Sequence, residues 1–67
     1  MFENLKAEMA RKGLTMMDFA KDPELDMSYT TIRHKFEGTT EWNKREMFLI
    51  KKKYFPNKYI EYLFEQN

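Results

Sequence analysis

Thr30, Arg33, His34 and Glu37 follow one another at the spacing that stacks side chains along one side of a helix, which turns roughly 100° per residue. A hydroxyl, a guanidinium, an imidazole and a carboxylate therefore project together, and three of these four can donate hydrogen bonds. Such a set suits recognition of another polar surface, base edges and phosphates included, better than it suits catalysis. His34 is the only histidine and the chain has no cysteine, so neither a metal-ligand set nor a nucleophile paired with a base can be assembled around it. The carboxylates Asp18, Asp22, Glu24 and Asp26 lie close in sequence, but helix capping and solvation account for them. No glycine-rich phosphate loop accompanies them. No cofactor, no metal and no enzymatic activity are expected.

The helix that must carry this face is marked at both ends. Ser28 can accept the first free backbone N–H groups as an N-cap, with Asp26 as a rival, and Gly38 suits the left-handed position that stops a helix. On the opposite side Ile32 and Phe36 fall one above the other and face a core, with Tyr29 at its rim and Thr31 and Lys35 on a flank. Tyr29 either packs at that rim or lies against whatever the outer face binds. Arg33 and Lys35 have a plainer alternative as exposed helix formers paired with Glu37 or Asp26.

The remaining elements read from caps and apolar spacing. Phe2, Leu5 and Met9 predict a helix over about residues 2–12, with Arg11 and Lys12 at its negative end and Gly13 beyond. Thr15 with Asp18 three residues on is a variant capping box that opens a short helix over about residues 16–21, which ends before Pro23. Asn43 with Glu46 is another capping box. It starts a helix reaching about Tyr54, with Met47, Ile50 and Tyr54 on one face and Trp42 placed to staple its start. After the turn at Phe55-Pro56-Asn57, Lys58 to Glu65 reads as a last helix carrying Tyr59, Ile60, Leu63 and Phe64. Nothing alternates with period two for long enough to form a strand, so the chain is all-α.

At 67 residues there is room for one domain, residues 1–67, with a modest core. Eleven aromatics and six methionines supply large apolar area for that length, the methionines as gap-fillers. No apolar run approaches the length of a membrane span and no leader resembling a signal peptide opens the chain, so a cytoplasmic protein is expected. The formal charge of +1 hides a block. Residues 1–43 hold six basic and eight acidic side chains, whereas residues 44–58 hold six basic side chains against Glu46 alone. That block can supply phosphate contacts, or its Lys51-Lys52-Lys53 run can be a solvated face.

Five short helices, with the second and third separated by a brief turn, are the plan of helix-turn-helix domains. Asn4 to Thr15, Asp18-Phe19-Ala20 and Thr31 to Gly38 together resemble the small Cro/CI-like (XRE-type) regulators of phages and mobile elements in Gram-positive bacteria. Thr40-Glu41-Trp42, Glu46-Met47-Phe48 and Ile60 to Phe64 resemble that group's last two helices, so the similarity covers nearly the whole chain. It implies a compact five-helix lambda-repressor-like domain whose residues 28–36 form a recognition helix in the major groove of an operator in double-stranded DNA. Ser28, Tyr29, Thr30, Arg33 and His34 would occupy the positions used against bases and nearby phosphates. Arg33 can give two hydrogen bonds to guanine O6 and N7, and Thr30 can bond a base edge or pack its methyl on thymine. Ser28, His34 and the hydroxyls of Thr39 or Thr40 suit phosphate, as does Lys44.

Two departures from that family are visible. The turn from Ala20 to Ile32 is longer, with Asp22-Pro23-Glu24-Leu25-Asp26 in place of a small residue. That either re-aims the recognition helix or adds a small loop, and it is expected to bring three carboxylates near the phosphates. Met16 stands where the family often has a phosphate-anchoring glutamine. The same fold therefore has a second reading, as an interaction module that binds a protein such as another phage regulator and not DNA. Under either reading a homodimer is expected, with the region from Tyr54 to Phe64 as its contact. Met47-Phe48-Leu49-Ile50 is apolar on more than one side and predicts that Phe48 or Leu49 is covered by the last helix or by a partner.

Overall fold

Capping sets where the helices begin. In the computed structural model, which describes residues 1–66, α1 spans Glu3–Arg11, α2 Met16–Ala20, α3 Tyr29–Glu37, α4 Lys44–Tyr54 and α5 Ile60–Leu63. Thr15 and Asn43 each close a full capping box, with Asp18 and Glu46 returning the bond. Ser28, not Asp26, caps α3: its hydroxyl accepts the N–H of Thr31 at 3.1 Å. Gly38 ends that helix at φ 86°, a conformation a side chain would strain. The last helix is shorter than its apolar pattern predicts, one turn in place of two. No strand occurs among the described residues, so the fold is all-α with five helices.

Helix α2 packs on α3 across the turn, while α5 lies against both α1 and α4. Phe19, Leu25, Ile32, Phe36, Ile50, Phe55 and Leu63 are fully buried with Leu5 between these layers, each side chain contributing roughly 1.5–3 kcal/mol on leaving water. Trp42 joins the layers edge-on. Its ring centroid lies 5.3 Å from that of Phe36 and 5.4 Å from that of Phe64, so the loop before α4 is stapled to α3 on one side and to the C-terminal segment on the other. Phe2 opens α1 from a left-handed conformation (φ 61°), and its buried ring meets Trp42. The radius of gyration, 10.7 Å, is close to the ~11 Å of a compact chain of this length. No described helix is long and apolar enough to cross a membrane.

Charge also ties the helices together. Buried Glu8 on α1 accepts from the Tyr62 hydroxyl of α5 at 2.8 Å and from Arg11 at 2.6 Å. The Tyr62 bond, with Arg11 and Lys58 nearby, holds the Glu8 carboxyl below its usual pKa. One turn of helix at the C-terminal end is thereby anchored where hydrogen bonding along the helix alone would leave it marginal.

Candidate nucleic-acid interface

The outer side of α3 is built by its inner side. Ile32 and Phe36 fix one face in the core, which leaves Thr30, Arg33 and Glu37 exposed along the other and His34 half-buried beside them. Arg33 Nε lies 3.8 Å from Glu37, with each side chain about half exposed. A pair at that distance and exposure holds its partners only weakly, by ~1 kcal/mol or less, and it can open for a ligand. Tyr29, 42% exposed, projects from the first turn. Ser28 is exposed, but its oxygen is engaged twice, accepting from Thr31 N–H and donating to the Thr31 hydroxyl at 3.0 Å.

A second group is placed next to this face by Lys35. The flank assignment and its exposed, Glu37-paired alternative are both corrected: Lys35 is buried, and its ammonium binds the Glu46 carboxylate of α4 and, at 3.3 Å, the carbonyl of Glu41. Glu46 Oε1 also accepts the Asn43 N–H at 3.1 Å, so one carboxylate joins α3, the loop and the start of α4. The loop therefore holds Thr39 and Thr40 exposed just past α3, their N–H groups bonded to the His34 carbonyl. Lys44 is exposed as the first residue of α4. Thr30, Arg33, Thr39, Thr40 and Lys44 thus sit on α3, the loop after it and the start of α4, which one buried ion pair clamps together.

Only part of that clamp is legible in the sequence: Lys35 falls at the edge of the Ile32–Phe36 stripe and Asn43 with Glu46 forms a capping box, but no local pattern pairs Lys35 with Glu46.

The longer turn is likewise not what its composition predicts. Asp22 is buried, and its carboxylate accepts from Lys53 Nζ at 2.8 and 3.0 Å, from the Tyr54 hydroxyl at 2.6 Å and from the Glu24 N–H at 2.9 Å. Burial pushes its pKa up, but these donors outweigh it and hold the carboxyl down at about 2. Burial and the bond to Asp22 raise the Tyr54 hydroxyl to about 12. Glu24 pairs with Lys53 at 2.6 Å, and its carbonyl accepts from Arg45 at 2.6 Å. Leu25 joins the core. Of the three carboxylates expected near phosphate, Asp22 turns inward and Glu24 is neutralised by α4; only Asp26, at φ 54°, remains exposed without such a partner. Met16 is half-buried and packs against the core.

No family model, curated protein or solved structure matches the chain. What the site can do therefore rests on its own geometry. Among the described residues no three His, Asp or Glu side chains gather as a metal ion requires. In the basic block Lys53, Lys51, Arg45 and Lys58 bond within the fold, while Lys44 and Lys52 stay exposed. The segment expected to form a dimer contact is largely consumed as well. Phe55 and Leu63 are buried, Tyr54 is bonded to Asp22, and only Tyr59 (79%) and Tyr62 (37%) are large exposed hydrophobic side chains there.

Proposed function

We propose that the chain is a sequence-specific, double-stranded DNA-binding transcriptional regulator of the Cro/CI-like kind, acting in the cytoplasm as a homodimer, with α3 as the recognition helix. The observation that carries this reading is the outer face of α3. It presents Thr30 and Arg33 on a helix capped at both ends and packed on α2 across a turn, with Thr39, Thr40 and Lys44 clamped beside it. In this arrangement Arg33 leaves Glu37 for a guanine, Thr30 reads the adjacent base, and Thr39, Thr40 and Lys44 hold phosphates on the flank. The longer turn does not oppose docking, because the Asp22 and Glu24 carboxylates are both paired with Lys53, while Arg45 holds the Glu24 carbonyl. A lone short helix binds weakly, so two copies reading half-sites about one helical turn apart complete the site. Exposed Tyr59 and Tyr62 on the approach to α5 and on α5 itself supply a contact of the kind such a dimer needs.

Selection of randomised duplexes on the purified protein tests this, followed by titration of the best duplex and a scrambled one at two salt concentrations. A palindromic motif should be enriched, and affinity should fall steeply with salt. Equal, feeble binding to both duplexes would overturn the proposal.

A further inference from the structure

Helix α4 carries a second unoccupied surface, on which Phe48 lies outside the core and Leu49 is only partly buried against it. Arg45, Phe48, Leu49 and Lys52 stand at i, i+3, i+4 and i+7, one continuous stripe, and they line a trough of about 380 Å³. Phe48 is 62% exposed in the middle of that stripe, where α5, which packs against α4, does not reach it. We propose that this trough docks an amphipathic helix of a partner protein, one that presents a large apolar side chain between carboxylates.

Three features select this occupant. All four lining residues belong to α4, so no second element walls the trough, and a small molecule would keep one side in water. A partner helix brings its own wall and covers the phenyl ring, as in helix-in-groove recognition. The rim is cationic at both ends. Arg45 is steadied there by its bond to the Glu24 carbonyl at 2.6 Å, and Lys52 remains exposed. Carboxylates flanking the anchor complement both. A second copy of this chain is the wrong occupant, because a two-fold contact of this stripe with itself sets Arg45 and Lys52 against the same cations. Phosphates would satisfy the rim but leave Phe48 and Leu49 against a charged backbone. The proposal does not depend on DNA binding by α3.

The test uses the full chain and a fluorescent synthetic helix of roughly 14 residues, about four turns. One version carries Leu and Phe on a single face with Glu on either side of them; a second replaces each Glu with Lys, and a third scrambles the first. The Glu version should bind with a Kd of roughly 1–100 μM while the other two bind at least about tenfold more weakly. Phe48→Ser leaves the core untouched and should weaken the Glu version at least about tenfold. Lys52→Glu should weaken the Glu version and improve the Lys version, a reversal that a folding defect cannot produce. Binding of no peptide, equal binding of all three, or indifference to Phe48→Ser would overturn the proposal. So would self-association that Phe48→Ser abolishes, which would make a second copy the occupant, or a uniform loss of DNA affinity in that variant, which would give the trough to nucleic acid.

Discussion

The turn between α2 and α3 and the outer face of α3 both carry cations and carboxylates at close spacing, yet they end in opposite states. In the turn, Asp22 and Glu24 meet Lys53, Tyr54 and Arg45, all of which α4 presents from a distant part of the chain. On α3, Arg33 finds only Glu37 one turn along the same helix, at 3.8 Å and half exposed. Charges paired across helices are consumed by the fold. The pair confined to the outer face of α3 stays exchangeable with a ligand. Lys35 and Arg33 put the contrast on a single helix two residues apart: one is buried on Glu46, the other projects into solvent.

The sharpest way to break this contrast is to remove the buried cation. Lys35→Ala leaves the Glu46 carboxylate buried without its partner, a loss of roughly 3–5 kcal/mol, which for a domain this small approaches its whole stability. Urea unfolding should show the variant largely unfolded. Adding Glu46→Gln to Lys35→Met, which keeps an acceptor for the Asn43 N–H, should recover most of that loss. A Lys35→Ala protein as stable as the parent would make Lys35 no more structural than Arg33.

Asp22 gives a smaller effect with a pH signature. Asp22→Asn should cost about 1–3 kcal/mol at neutral pH, since Lys53 and Tyr54 then face a neutral amide with one acceptor oxygen in place of a carboxylate with two. The folded carboxyl, near 2, lies below its ordinary value of 3.8. The stabilisation is therefore complete above about pH 5 and is lost as pH falls through 4 toward 2. Unfolding measured across that range should show parent and variant converging in acid; a constant gap would remove Asp22 as its source.

Much of this was legible in the sequence, and the exceptions share a cause. The caps at Thr15, Ser28, Asn43 and Gly38 are local signals between residues three or four apart or at a single backbone position, and each bounds a helix where its chemistry predicts. Ile32 and Phe36 follow from helical period alone. The fates of Asp22, Lys35 and Glu24 depend instead on which helix lies across from them, separated by 31 positions for Asp22 and Lys53, and periodicity carries no such information. The same limit applied to Phe48. The apolar excess of α4 was visible, but that α5 leaves this face open is a matter of how four residues of helix dock. Within the site, Thr30 and Arg33 were placed by period, whereas what clamps Thr39, Thr40 and Lys44 beside them became visible only with the buried Lys35–Glu46 pair.

The outer face should respond in binding and not in folding. Arg33→Ala should move stability by no more than about 0.5 kcal/mol. Affinity for a selected duplex should fall by roughly 1–3 kcal/mol, with preference relaxed at one base pair. Unchanged affinity would take Arg33 out of the reading set. Lys44→Ala should have the smallest effect, a weakening shared by selected and scrambled duplexes alike. Its mark is the salt dependence, because losing one phosphate contact reduces the slope of log affinity against log salt by about one. A loss confined to the selected duplex would instead make Lys44 a reader of bases, extending the recognition surface from α3 onto the start of α4.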